Sequence, residues 1–199
     1  NIIRSHHPLE EATLNMLDEL GIMVVEEVFL NWWGANWFAE YVPPEENADA
    51  ARAGALAMLE EMIARHYNHP CIVMWSVGNE CATDTAIGID VFSQLINRAH
   101  ELDTTRLVTY AANANIAANT AFELADVVGV NIYPATFEPN PVHHFAELDE
   151  KVYQVLRSML EEIGGYFPGK PLIMTEFGTH GVAGIYGDVR FTEDMQAEY

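Results

Sequence analysis

Polar side chains gather directly behind short apolar runs in this sequence. Arg4 follows Ile2 and Ile3, Glu26 and Glu27 follow the run 22–25, and Asn79 with Glu80 follows the run 71–77. Asn131 and Tyr133 lie at the end of the run 127–133, and Glu176 follows the run 171–175. In an α/β barrel the active site lies at the carboxyl ends of the strands, so a polar group behind an apolar strand is where chemistry is expected. Two carboxylates brought there from different strands, beside aromatic rings, can cleave a glycosidic bond. One protonates the departing oxygen while the other attacks the anomeric carbon or activates water.

Each of these residues also has a plainer reading. Asn79-Glu80 could cap a following helix and place an acid in its first turn. Glu176 could be a solvated loop acid, and Glu26-Glu27 a charged edge. Trp32, Trp33, Trp37, Phe38 and Tyr41 cluster in the stretch 28–44, as a packed rim or as a platform for a sugar. The doublets His6-His7 and His143-His144 lack the i, i+4 spacing of helical metal ligands, so no metal site is expected.

The elements that must position these groups alternate regularly. Strands are expected at 1–4, 22–25, 71–77, 106–111, 127–133 and 171–175. Between them, apolar residues recur at helical spacing over 10–20, 48–66, 86–102 and 148–163, with a weaker helical segment ending near Leu124. Gly21 is placed to stop the first helix and Gly164-Gly165 the last. Strands apolar on both faces, each followed by a helix, point to a parallel sheet covered by helices. A doubly wound sheet and an α/β barrel both fit, but the glycine fingerprint of a dinucleotide fold is absent.

Composition narrows the partners. The 199 residues carry 30 Asp plus Glu against 9 Lys plus Arg, a formal charge of −21, yet half are hydrophobic and 11% aromatic. That is too apolar for a disordered acidic tail. It also leaves no basic patch for nucleic acid or anionic membranes, so a neutral or weakly charged ligand is expected. Lys151 and Lys170 are the only lysines. An acid-rich, lysine-poor surface suits high salt, where screening weakens self-repulsion. Cys71 and Cys81 are read as free thiols, and no apolar run is long enough to span a membrane.

Three blocks resemble glycoside hydrolase family 2, the family of β-galactosidases, β-glucuronidases and β-mannosidases. The stretch from Asn68-His69-Pro70-Cys71 through Met74-Trp75-Ser76-Val77-Gly78-Asn79-Glu80 is similar to the family's acid/base signature. Lys170-Pro171-Leu172-Ile173-Met174-Thr175-Glu176-Phe177-Gly178 resembles its nucleophile strand. Asn1-Ile2-Ile3-Arg4-Ser5-His6-His7-Pro8, followed by Asp18-Glu19-Leu20-Gly21-Ile22, resembles its N-x-x-R-x-S-H-x-P segment. The tail, Ala183-Gly184-Ile185-Tyr186 with Phe191-Thr192-Glu193-Asp194-Met195, is most similar to the β-glucuronidase branch and its β-galactosidase relatives.

The resemblance implies a (β/α)8 TIM barrel and a retaining mechanism on a terminal β-galactoside or β-glucuronide. Glu80 would be the acid/base and Glu176 the nucleophile. Asn79 would bond the sugar 2-hydroxyl, Tyr133 would steady the nucleophile, and Arg4 would keep Glu176 ionised while Glu80 is protonated. His6 or His7 would line the sugar subsite. A retaining pair stands about 5 to 5.5 Å apart. No cofactor is implied. The partner implied is a carbohydrate, with no nucleic acid or membrane and with a homo-oligomer open to the full-length parent. After Tyr133 the chain reads Pro134-Ala135-Thr136-Phe137, where β-glucuronidases carry a second tyrosine and a tryptophan. Six strands against the barrel's eight and its typical length of about 250 residues lead to the expectation of one catalytic domain over 1–199. That domain would be a fragment of a longer multidomain glycosidase, holding strands two to seven. The alternatives are a non-catalytic carbohydrate-binding partial barrel and a metal-dependent barrel hydrolase.

Overall fold

A computed structural model of the chain describes residues 1–35, 41–137 and 139–199. Six strands, β1 (Ile2–Arg4), β2 (Met23–Glu27), β3 (Ile72–Asn79), β4 (Leu107–Ala112), β5 (Val128–Asn131) and β6 (Leu172–Glu176), form one sheet in that sequential order. The registered neighbours from β1 to β5 are parallel. A doubly wound sheet reverses its strand order at a switch point; this one never does, as the barrel expectation requires. The helices are α1 (Glu11–Leu20), α2 (Pro44–His66), α3 (Ala86–Leu102), α4 (Gln154–Tyr166) and α5 (Glu193–Glu198).

Local chemistry explains most of the boundaries. Gly21 ends α1 in the left-handed region, φ 65°, where a Cβ would be strained. Thr85 caps α3 by accepting from the Gly88 amide. α2 starts at Pro44, whose missing N–H costs nothing in a first turn, and kinks at Asn47 (φ −138°). The helical periodicity from Ala48 onward therefore marks the straight part beyond the kink. Gly164-Gly165 does not stop α4, which runs to Tyr166. The stop comes from Pro168, which drives Phe167 out of the helical region, to φ −127° and ψ 70°. The weak helical segment is two short 3₁₀ turns, Ile116–Ala118 and Thr120–Glu123. α5 carries no sequence pattern long enough to announce it.

The chain divides into two compact units. The first holds Asn1–Val130 with Gly169–Ile173, and the second Asn131–Pro168 with Met174–Tyr199. In the first, Val25, Met74 and Val127 form a buried cluster with Val73 and Ile173 against it. Register pairs Val25 with Met74 and Glu27 with Ser76. With a side-chain period of two, these four share one face, while Glu26 and Trp75 take the other. The second unit has its own core of Val142, Leu148, Val152 and Met195. Among the described residues, no helix is long and apolar enough to cross a membrane.

Candidate active site

In the first unit, the carboxyl ends of β1, β2 and β3 carry a connected polar group. Arg4 grips Glu27, with Nε donating to Oε2 at 3.0 Å and Nη2 to Oε1 at 2.9 Å. Ser76 Oγ donates to Glu27 Oε2 at 2.7 Å, and Arg4 Nη2 also donates to Asn79 Oδ1 at 2.8 Å. Asn79 Nδ2 in turn donates to Asn31 Oδ1 at 2.7 Å. Glu27 and Asn79 are buried. Burial pushes the Glu27 carboxyl up, and the Arg4 charge is the strongest pull in the other direction. His6 Nδ1 stands 3.8 Å from Glu27 Oε1. His7 packs its ring on Phe29 at 4.3 Å. Burial lowers its pKa, and the charges of His6 and Arg4 add to that.

Neither Glu26 nor Glu27 is a charged edge, because β2 buries both on opposite faces. Glu26 accepts from the Leu9 amide and meets His66 Nδ1 of α2 at 2.9 Å. Desolvation raises its pKa. The alternation of a strand could have separated these two roles from the sequence.

Asn79 and Glu80 are not a helix cap, since α3 begins at Ala86 with Thr85 in that position. The register slips between Ser76 and Asn79, and the bulge re-aims the chain. Gly78 is required there, because a Cβ would lie 2.8 Å from the Phe92 ring and 3.1 Å from the Leu30 carbonyl oxygen. Glu80 follows with left-handed backbone, φ 50°. Its Oε2 accepts from Trp32 Nε1 at 3.0 Å.

Trp32 and Trp33 of the aromatic stretch part company. Trp32 is exposed, whereas Trp33 is buried, with its indole N–H donating to Asn47 Oδ1 at 2.7 Å. Trp33 therefore fastens the kink of α2. Trp37 and Phe38 lie outside the described residues.

In the second unit, Tyr133 donates its hydroxyl to Glu176 Oε2 at 2.5 Å. Thr175 Oγ1 donates to Asn131 Oδ1 at 2.6 Å, and the Ile132 amide to the Glu176 carbonyl oxygen at 3.0 Å. Glu176 is half-buried, so it is not a freely solvated loop acid. Phe137 lies against Tyr133, and His180 against Phe137, each at 5.7 Å between centroids. Sequence reasoning did not single out Ser76, Asn31 or Thr175. Ser, Asn and Thr are common polar residues, and only the folded contacts show that these three face a carboxylate or an amide.

Both cysteines are free and buried, and burial pushes each thiol up to about 12. Among the described residues, no three His, Cys, Asp or Glu side chains come close enough to hold a metal ion.

The model of the glycosyl hydrolases family 2 TIM barrel domain matches residues 1–199. The chain is 31% identical over 200 residues to a β-glucuronidase of Paenibacillus borealis, covering 98% of this chain and 32% of that protein. Its fold is similar to the β-D-glucuronidase structure from Dictyoglomus thermophilum, with a TM-score of 0.81 at 31% identity, covering all of this chain and 34% of that one. It is also similar to a family 2 β-galacturonidase of Eisenbergiella tayi bound to galacturonate, with a TM-score of 0.74 at 31% identity, covering 98% of this chain and 33% of that one. The chain spans about a third of the length of these relatives.

Proposed function

The chain belongs to glycosyl hydrolase family 2, and on that premise we propose that it carries out retaining hydrolysis of a terminal β-glycoside, with β-glucuronides the first substrates to try. The observation that carries this reading is the Tyr133 hydroxyl on Glu176 at 2.5 Å. A carboxylate held by a phenol at a strand end is aimed and kept from swinging, which a nucleophile needs. The relatives' names, β-glucuronidase and β-galacturonidase, support a uronic acid as the sugar. The Pro134-to-Phe137 segment, unlike the β-glucuronidase pattern, keeps a β-galactoside in the test panel.

In the first step Glu176 attacks the anomeric carbon and the bond to the leaving oxygen breaks. That oxygen takes the proton of Glu80, leaving a glycosyl ester on Glu176. In the second step Glu80 removes a proton from water, the water oxygen bonds the anomeric carbon, and the ester bond breaks. The free sugar leaves with retained configuration and Glu80 is protonated again. Asn79 bonds the sugar 2-hydroxyl, a contact that strengthens in the transition state. Arg4 and Glu27 act through Asn79 by fixing its amide. His6, His7, Asn131 and the exposed ring of Trp32 complete the proposed sugar surroundings. Because the relatives are about three times as long, we propose that this barrel works within a longer, multidomain glycosidase.

The test is hydrolysis of nitrophenyl β-glucuronide and β-galactoside, with and without chelator, followed by NMR of the first-formed anomer. The reading expects the β-anomer first, indifference to chelator and loss of turnover in Glu176→Gln. A folded chain that turns over neither glycoside supports the non-catalytic alternative. Loss of activity on chelation supports the metal-dependent one.

A further inference from the structure

Two non-glycine residues with left-handed backbone meet at one contact. Trp32 has φ 55° and Glu80 φ 50°. For a side chain as large as tryptophan this is an outlier, and such strain persists only where the surroundings over-determine it. The surroundings here do so. Asn31 bridges to Asn79, the Trp32 amide donates to the Asn79 carbonyl oxygen at 3.0 Å, and the Asn79 amide donates to that of Leu30 at 2.8 Å. On the far side, Ala35 donates to the Trp32 carbonyl oxygen at 3.0 Å and Ala82 to that of Trp33 at 2.8 Å. The loop behind β2 is thereby stitched to the end of β3, and the stitch turns the indole N–H onto Glu80 Oε2 at 3.0 Å.

We infer that Trp32 is a positioning residue: its indole N–H, donating to Oε2, fixes the carboxyl plane of Glu80 and with it the direction in which the acid delivers its proton. The inference rests on the proposed role of Glu80 and deepens it. A ring that only packed against a sugar would need neither its N–H on the carboxylate nor strained backbone at both ends of the bond. An acid fixed in this way matters most where the leaving group needs its proton and least where it departs readily as an anion.

Two readouts test this, one of them independent of turnover. In the ¹⁵N-labelled chain, Glu80→Gln should shift the Trp32 indole N–H resonance, assigned by its absence in Trp32→Phe, and leave the Trp33 indole in place. An unmoved Trp32 resonance overturns the inference whether or not the chain hydrolyses anything. In kinetics, Trp32→Phe should lower kcat for an alkyl β-glycoside by about 10- to 100-fold, the range of one hydrogen bond to a charged group. It should lower kcat severalfold less for the dinitrophenyl glycoside, and Trp32→His, which keeps a ring N–H, should recover part of the loss. Equal losses on both substrates, or a change confined to KM, mean that the ring acts on the sugar and overturn the inference. Absence of turnover in the wild-type chain instead counts against the proposed function, leaving the resonance shift to decide the role of Trp32.

Discussion

β3 leads into a glutamate and β6 ends in one, and they hold it in different ways. β3 is paired on both sides and buried along nearly all of its length. It then bulges, passes through Gly78, where a Cβ would meet the Phe92 ring, and hands over after Asn79 to left-handed backbone at Glu80. β6 reaches its last residue without any left-handed backbone, and all five of its residues are half-exposed. Glu176 continues the strand direction and meets Tyr133 from the segment behind β5. An irregular backbone needs a dense polar group to hold it, which β3 has in Arg4, Glu27, Ser76 and Asn79. A strand without left-handed backbone needs less. Substitutions at the end of β3 should therefore register in stability as well as rate, and those at the end of β6 chiefly in rate.

The largest effect is expected at β6. Glu176→Gln should reduce turnover by at least about a thousandfold, the scale of removing a nucleophile, with an unfolding midpoint close to wild type. A large fall in midpoint would erase the contrast with β3. Next comes Glu27→Gln, which leaves Arg4 facing an uncharged amide. Breaking a buried ion pair costs about 3 to 5 kcal/mol, and urea unfolding should show a loss of that order. A loss below about 1 kcal/mol would mean that the end of β3 does not depend on this pair.

Tyr133→Phe removes one hydrogen bond to a carboxylate, about 1.5 to 3 kcal/mol. It should lower kcat by about 10- to 100-fold while the thermal midpoint changes little. Gly78→Ala should destabilise by about 1 to 3 kcal/mol, the usual cost of overpacking, because its Cβ meets the Phe92 ring. An unchanged midpoint would show that this ring gives way.

The opposite end of β3 supplies a pH-dependent contrast. Trp75 Nε1 donates to Asp103 Oδ2 at 3.0 Å, Arg106 Nη1 to the same oxygen at 2.6 Å, and Thr105 to Oδ1 through both its amide and its hydroxyl. Burial alone would raise the Asp103 pKa, but these donors outweigh it and hold the carboxyl well below the usual carboxylate range. A pKa depressed by folding gives stability that is present above the unfolded value of about 3.9 and lost as pH falls below it. Between pH 7 and pH 3 the wild-type urea midpoint should fall further than that of Asp103→Asn. Parallel falls would assign acid sensitivity elsewhere.

Much of this arrangement was legible in the sequence. α3 occupies Ala86–Leu102 because Ile87, Val91, Leu95 and Ile96 give an unbroken helical stripe, and Gly21 stops α1 because only its φ suits the turn. Strand-end polarity located Arg4, Asn79, Glu80 and Glu176. What the sequence hid depends on packing. Nothing local distinguishes Trp32 from Trp33, yet one N–H reaches Glu80 and the other Asn47. Gly164-Gly165 reads as a stop, but both glycines tolerate the helix until Pro168 forbids it. The period of a strand separates Glu26 from Glu27, but only packing gives the first His66 and the second Arg4 as its partner.

Covalent bonding of Glu176 to the sugar, as proposed, can be tested directly. A 2-deoxy-2-fluoro-β-glucuronosyl fluoride forms the ester readily and releases it slowly, so peptide mass spectrometry of the inactivated chain locates the label. One label is expected on the peptide containing Glu176, and none in Glu176→Gln. A label on Glu80, or turnover of the fluoride with inverted configuration and no label, would contradict the proposal.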